Sequence, residues 1–262
     1  MKKIKLIIYN LLPGFILVYL LNLKSDYLFK VKKFENNCYI LKSDNLDLYI
    51  SRPKRLFKYK NGTKNRLNQI QKKYFLDKIN FTQGDILIDC GSNIGEVPFA
   101  IRYFTPVDLH VVAIEPDPTE FSVLKRNLLD TDLSLNIFLS DAFSLAHAKF
   151  SNDSGDTQLL INDSVTFFKE KHSLVNTHTL DQVIIPLRFK QIKLLKIEVE
   201  GLEPEVLIGA EAVLKITDYV AVDTGPERNG KFTFAEVKGI MSQNGFEILS
   251  CNQNLSVLFR RI

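Results

Sequence analysis

The stretch Asp85-Ile-Leu-Ile-Asp-Cys-Gly-Ser-Asn-Ile-Gly95 decides the fold. A short apolar run, Ile86-Leu-Ile88, ends in an acid, Asp89. A loop with two glycines, Gly91 and Gly95, and an asparagine, Asn93, follows at once, and a helix-forming stretch begins at Glu96. Strand, tight turn and helix N-terminus in that order make the place where α/β proteins hold cofactors. Further on, a second apolar run, Leu109-His-Val-Val-Ala-Ile114, ends in Glu115. The two strand ends predict a cradle for a nucleoside cofactor, with the rest of the chain building their sheet or bringing a substrate to it.

Outward from this stretch, strand and helix patterns alternate from Phe81 onward, the mark of a largely parallel sheet. Strands are expected over 85–89, 109–114, 135–139, 192–199, 219–222, 246–249 and 255–259. The last two form a closing hairpin around Asn252-Gln-Asn254. Helices are expected over 96–104, 203–214 and 233–243, and from an Asp117 cap with Pro118 at the first helical position to about residue 129. Residues 148–161 read as a hairpin turning at Asn152-Asp-Ser-Gly155. Ahead of this domain, 39–41 and 46–50 alternate enough for two strands, 52–66 is a basic, turn-rich run, and 67–79 reads as a helix. The chain thus divides into a basic N-terminal extension, 1–78, and an α/β domain, 79–262.

Charge follows the same division. Residues 1–78 carry 18 Lys/Arg and 5 Asp/Glu; the remainder carries 16 and 25. Such a split suggests a basic segment that meets something anionic (lipid, a phosphorylated glycan carrier or nucleic acid) or one that lies on the protein's own acidic surface. Residues 6–23 are uncharged, a length at the lower limit for spanning a bilayer. Asn10, Pro13, Gly14 and Asn22 interrupt them. The stretch reads as an interfacial helix kinked at Pro13, as a single membrane anchor, or as a helix covering the core. If it spans, the larger positive cluster on its C-terminal side keeps the body cytoplasmic, and residues 1–33 contact the membrane surface. No small-residue cleavage site follows, which argues against a cleaved secretory signal. Cys38, Cys90 and Cys251 are scattered and odd in number, which fits a reducing, cytoplasmic setting. The four histidines show no zinc spacing.

Gly91-Ser-Asn-Ile-Gly95 is G-x-x-x-G and lacks the G-x-G-x-x-G of a dinucleotide site. Glycines still let the backbone of Gly91, Ser92, Asn93 and Gly95 approach a ligand closely. A cofactor with an amino-acid tail and a sulfonium wants an acid and carbonyls nearby, and Asp89 supplies the acid. Glu115 can accept from both hydroxyls of a ribose, and Asp141, after the third strand, from an adenine amino group. One such acid would read as an ordinary loop residue. Three at successive strand ends, the first followed by a glycine loop, read as cofactor ligands.

These stretches resemble the FkbM family of class I S-adenosylmethionine-dependent methyltransferases. The resemblance lies in Leu87-Ile-Asp-Cys-Gly-Ser-Asn-Ile-Gly95, Val112-Ala-Ile-Glu-Pro-Asp-Pro118 with Leu124-Lys-Arg-Asn127, Thr179-Leu-Asp181, and Leu194-Leu-Lys-Ile-Glu-Val-Glu-Gly-Leu-Glu203 with Val206-Leu-Ile-Gly-Ala210. It covers residues 79–246. It implies a Rossmann-like, seven-stranded, mostly parallel sheet. It also implies S-adenosylmethionine as cofactor, surrounded by Asp89, Gly91, Asn93, Gly95 and Glu115, and O-methylation of a hydroxyl on a sugar, glycan, glycolipid or related metabolite. The chain departs from the family's pattern at Glu198, where an Asp is usual, and at Asp223, where a Glu is usual.

On an extended strand Lys196, Glu198 and Glu200 share one face, while Leu195, Ile197 and Val199 share the other. A central parallel strand should be apolar on both faces. The charges therefore either pair structurally or line a reaction pocket. Methyl transfer to a hydroxyl calls for a general base. Glu198 is the first candidate, oriented by Lys196; Glu200 and Asp223 follow, with His147 and His178 titrating in a suitable range. Glu198 and Glu200 do not make an octahedral magnesium set, so no metal is expected. The polar, aromatic segment 147–177 is the candidate acceptor pocket. Two other readings stand beside this one: a nucleic-acid methyltransferase using the basic arm, and a catalytically silent binding module on the same fold.

Overall fold

The computed structural model of the protein describes residues 14–24, 30–35, 38–43, 46–150, 157–160, 173–228, 230–252 and 255–262. Strands β1 (Lys30–Glu35), β2 (Cys38–Ser43) and β3 (Leu46–Ile50) pair antiparallel as a small sheet. They are followed by β4 (Ile86–Cys90), β5 (His110–Ile114), β6 (Leu133–Leu135), β7 (Phe138–Leu139), β8 (Ser144–Phe150), β9 (Thr157–Leu160) and β10 (Ser173–His178). β11 (Ile192–Ile197), β12 (Thr217–Asp223), β13 (Phe246–Cys251) and β14 (Ser256–Arg261) complete the chain. The main sheet has seven strands in the order β13-β14-β12-β11-β4-β5-β6. β12, β11, β4, β5 and β6 are parallel, and the β13–β14 hairpin pairs antiparallel beside them. This is the Rossmann-like α/β sheet expected from the sequence. Its strand order reverses between β4 and β11, which opens a crevice at their carboxyl ends.

Alternation along each central strand supplies two apolar faces. Leu87, Val111, Ala113, Leu194 and Ala221 face the helices Thr63–Lys73, Glu96–Phe104 and Pro118–Asn127 through Ile70, Val97, Ile101 and Leu124. Ile88, Val112, Ile114, Leu195, Ile197 and Val220 face the opposite layer, with Leu180, Val206, Leu207, Val213 and Met241. Asp117 caps its helix as expected, accepting from the amides of Thr119 and Glu120 at 2.8 and 3.4 Å. Asp181, in the Thr179-Leu-Asp181 motif, accepts from the amides of Ala212 and Val213 at 2.9 and 2.8 Å. It thereby starts the helix Glu211–Lys215, so the single helix expected over 203–214 is two.

Three further expectations are corrected. The third strand of the sheet is Leu133–Leu135 and not 135–139. Asn136 donates to the carbonyls of Glu115 and Pro116 at 2.8 and 2.9 Å and turns the chain away. Phe138–Leu139 then pairs with β10, a strand the sequence reading did not find, in a second sheet of order β7-β10-β8-β9. The strand expected over 192–199 stops at Ile197, and Glu200 adopts φ +55° in the turn beyond it. The alternation that placed Lys196, Glu198 and Glu200 on one face therefore does not extend to Glu200. The hairpin over 148–161 is present as β8 and β9, with Phe150 opposite Thr157; its turn lies outside the described residues.

The N-terminal segment is built onto the main sheet. Leu41, Leu48, Ile50, Leu56 and Tyr59 share one core with Ile94 of the glycine loop and Val123 of the following helix. The helix Gly14–Lys24 seats Leu21 in that core and leaves Tyr19 and Leu23 exposed. Residues 6–13, with Pro13, lie outside the described residues. Among the described residues, no helix is long and apolar enough to cross a membrane. Asn127 joins the parts with hydrogen bonds to the amide and carbonyl of Tyr49 at 2.8 and 2.9 Å and to the carbonyl of Ile94 at 2.8 Å.

Part of the basic density of residues 52–73 is matched by acids of the sheet domain. Arg52 Nη2 lies 2.6 Å from Asp117 Oδ2, and Nη1 donates to Glu120 Oε1. Ser51 Oγ donates to Glu120 Oε2 at 2.7 Å. Both acids are buried. Removing one partner of a buried ion pair strands the other charge. Arg52→Ala should therefore lower stability to urea unfolding by about 3–5 kcal/mol, whereas Lys42→Ala, at the exposed Lys42–Asp47 pair, should cost less than about 1 kcal/mol.

Candidate active site

A cavity of about 470 Å³ opens at the carboxyl ends of β4 and β11, a size suited to a small-molecule ligand. Its floor is the glycine loop. Gly91 has φ +71°, and a Cβ there would lie 1.8 Å from the carbonyl oxygen of Glu198. The amides of Gly91 and Ser92 both donate to the carbonyl of Ile114 at 2.9 Å, which draws the loop across the end of β5. Gly95, at φ +87°, opens the helix Glu96–Phe104 without a side-chain cap. Its first amides are therefore available to a ligand.

Asp89 and Lys196 are neighbours in register on β4 and β11, and both are buried. Lys196 Nζ lies 3.0 Å from Asp89 Oδ1 and donates to the carbonyls of Gly91 and Cys90 at 2.7 and 3.1 Å. Asp89 Oδ2 accepts from Ser92 Oγ at 2.6 Å. Burial opposes the charge on Lys196, but Asp89 and then Glu198 outweigh it, and the lysine pKa is raised. Asp89 does not line the cavity; with Lys196 it holds the loop that does.

Glu115, at the end of β5, does line the cavity. Its Oε2 accepts from the Asn93 amide at 2.7 Å and its Oε1 from the Asp117 amide at 2.9 Å. A carboxylate has about four acceptor positions, so two remain for a pair of vicinal hydroxyls. Burial pushes its pKa up to about 8, against the opposing effect of those two amides. Asn93 Oδ1 is buried without a hydrogen-bond partner. Ile114, Pro116, Ile137, Phe138 and Leu139 add an apolar wall next to Glu115. This combination fits a nucleoside.

The opposite side is charged. Glu198 accepts hydrogen bonds from Lys73 Nζ and from the Tyr74 hydroxyl. Lys73 Nζ also lies 2.6 Å from Asp223 Oδ2. Burial would raise the pKa of Glu198, but Lys196 and Lys73 reverse this and hold it far below the ordinary carboxylate range. Glu227 is different. It lines the cavity, and its Oε2 is buried without a hydrogen-bond partner. Burial, then the charges of Glu200, Asp223, Glu198 and Glu203, push its pKa up to about 8. Ligand atoms of Glu198, Asp223 and Glu227 come within 4.8 Å of one another, a grouping able to hold a cation that the sequence reading did not expect. Lys73 supplies positive charge to two of the three.

Of the residues singled out in the sequence, Gly91, Ser92, Asn93, Glu115, Lys196, Glu198 and Glu200 line the cavity. Asp89, Gly95 and Asp141 do not; Asp141 is exposed, with its carboxylate 3.1 Å from Ser140 Oγ. His147 and His178 lie on β8 and β10, away from the lining. The described part of 147–177 contributes nothing to the lining, and residues 151–156 and 161–172 lie outside the described residues. Sequence reasoning missed Arg55, Lys58, Arg66, Lys73, Tyr74, Glu96 and Glu227. The first five belong to the N-terminal segment, where the only signal was an excess of positive charge.

Residues 89–248 match the methyltransferase FkbM domain. The chain belongs to that family. It is a class I, S-adenosylmethionine-dependent methyltransferase of FkbM type, and S-adenosylmethionine is its cofactor. Methyltransferase 1 of Beauveria bassiana (strain ARSEF 2860) is 26% identical over 205 residues, covering 68% of this chain and 80% of that one. Methyltransferase sdnD of Sordaria araneosa is 24% identical over 242 residues, covering 80% and 89%. The crystal structure of methyltransferase FkbM from Methylobacillus flagellatus KT shares the fold at a TM-score of 0.51 and 16% identity. That match spans 79% of this chain and 53% of the bacterial one.

The cradle fits this cofactor: Glu115 for the ribose hydroxyls, the glycine loop and bare helix N-terminus beside it, and Asn93 Oδ1 for a donor. Gly91→Ala should lower stability by at least about 2 kcal/mol or abolish cofactor binding in calorimetry, because the added methyl collides with Glu198 O. Glu115 gives a pH signature. Its raised pKa keeps the free site protonated below about pH 8, whereas ribose hydroxyls donate best to the ionised form. The affinity for 5′-methylthioadenosine should therefore rise with pH by up to about tenfold per unit, levelling above about pH 8. Glu115→Gln should bind weakly and without that slope.

Proposed function

We propose that the protein transfers the methyl group of S-adenosylmethionine to a hydroxyl of a small sugar-like or glycan acceptor. The cofactor supplies an electrophilic methyl on a sulfonium; this chain's residues must position a hydroxyl in line with it and take its proton. The observation that carries this reading is Glu227, a cavity-lining carboxylate with an unpartnered, buried oxygen and a pKa pushed up to about 8. Such a group can accept a proton near neutral pH. Glu198, the first candidate from the sequence, is engaged by Lys73 and Tyr74 and held ionised. A carboxylate that binds protons so weakly is a poor base, so Glu198 with Lys73 serves better to orient the acceptor. Glu200 lines the same wall, and its charge raises the proton affinity of Glu227. The scattered, odd-numbered cysteines Cys38, Cys90 and Cys251 fit a reducing, cytoplasmic setting.

The test is incubation with isotope-labelled S-adenosylmethionine and a panel of monosaccharides, uronic acids and polyhydroxylated metabolites, with products read by mass spectrometry. A methyl ether is expected. Label found only on nitrogen or carbon would overturn the reading. For the acceptor that reacts, kcat/KM should rise towards a plateau above about pH 8, as Glu227 ionises. Glu227→Gln should lose about 10²–10⁴-fold in rate while binding S-adenosylhomocysteine as the unmodified protein does.

A further inference from the structure

We propose that Arg55, Lys58 and Arg66 form a receptor for a carboxylate or phosphate group carried by a ligand of the cavity. All three line it, from the 3₁₀ turn Pro53–Tyr59 and the helix Thr63–Lys73. Their charges are incompletely matched. Arg66 is held by Glu96 through two bonds of 2.6 Å, with the Tyr59 hydroxyl on the same carboxylate at 2.7 Å. Glu120 takes Arg52 and Ser51, and Asp117 takes Arg52. Arg55 Nε lies 3.3 Å from Glu120 Oε1 yet is buried without a hydrogen bond. Lys58 has no hydrogen-bonded or ion-paired carboxylate among the described residues. Among the described residues, Arg66 has Glu96, Arg55 shares Glu120 with Arg52, and Lys58 has no carboxylate at ion-pair distance.

The surplus lies along the cavity, where Arg55 is buried and Lys58 is exposed. Loss of part of its hydration, and next the charge of Arg55, lower the affinity of Lys58 for a proton; Glu96 opposes this and Arg66 adds to it. Like charges held together this way are relieved by an incoming anion. Guanidinium groups fixed by other partners, as Arg66 is by Glu96, meet a carboxylate or phosphate at little cost in side-chain freedom. Two sources of that anion fit the chemistry: the amino-acid carboxylate of the cofactor, and an acidic group on the acceptor such as a uronic acid or a phosphorylated sugar. The inference does not depend on which acceptor atom takes the methyl.

Calorimetry on the full chain distinguishes them. The free protein is titrated with S-adenosylhomocysteine and with 5′-methylthioadenosine, which lacks the amino-acid tail. The S-adenosylhomocysteine-loaded protein is titrated with inorganic phosphate, D-glucuronate and, as the uncharged control, D-glucose. Each titration is repeated on Lys58→Ala and Lys58→Arg, with thermal melting to verify the fold. If the cluster holds the cofactor's carboxylate, Lys58→Ala weakens S-adenosylhomocysteine by at least about tenfold and leaves 5′-methylthioadenosine unchanged. If it holds an acidic group of the acceptor, Lys58→Ala weakens phosphate or glucuronate by a similar factor and leaves S-adenosylhomocysteine unchanged. In either case Lys58→Arg restores binding. Affinities for S-adenosylhomocysteine, phosphate and glucuronate that are absent or unmoved by Lys58→Ala, or that fall equally with 5′-methylthioadenosine, overturn the proposal.

Discussion

A buried ion pair between the two central strands governs the site. Lys196 on β11 sits in register with Asp89 on β4, and the flanking positions on β12 and β5 are Ala221 and Ala113. Taking two charges out of water costs several kcal/mol per ion, and neighbouring alanines add no bulk beside them. Compensation comes from the 3.0 Å contact between the charges, from Ser92, and from the carbonyls of Cys90 and Gly91. Those last groups lie where β4 passes into the glycine loop on the cavity floor. The ion pair at the topological switch of the sheet thus also fixes the loop's shape.

From that pair outward, the cavity divides by chemistry. Towards β5 and β7 it is apolar, with the single carboxylate Glu115. Towards β12 it is acidic, with Lys73 between Glu198 and Asp223 and with Glu227 beyond. Along the N-terminal segment it is basic. The segment therefore does two things at once. It closes one side of the site, and its arginines neutralise Glu96, Asp117 and Glu120, acids near the starts of the two helices that follow β4 and β5.

Much of this was legible in the sequence where the signal is local. The strands before Asp89 and Glu115, the Asp117-Pro118 helix start and the glycine loop each depend on a few consecutive residues, and each appears where expected. The motif residues Asp89, Glu115, Asp181 and Glu203 could be located as well, though not their partners: Asp181 and Glu203 bind backbone amides of neighbouring turns. What escaped depends on distance along the chain. Lys73 meets Glu198 from 125 residues away, and Arg52 meets Asp117 from 65. No spacing rule reports such contacts. The excess of positive charge in 1–78 was visible, but its reading stayed divided between an outside partner and the protein's own acids. The structure shows the second for Arg52, Arg66 and Lys73. The proton affinity of Glu198 was illegible for the same reason: a carboxylate's basicity is set by the cations around it, and Lys73 comes from a distant helix.

The close passage of Gly91 under the Glu198 carbonyl has one further consequence. Glu198 N donates to Cys90 O at 3.1 Å, so the two backbones are bonded on one side and in steric contact on the other. The glycine loop and the Glu198 side of the cavity are one mechanical piece. Any drift of the Glu198 backbone is transmitted to the loop on the cavity floor.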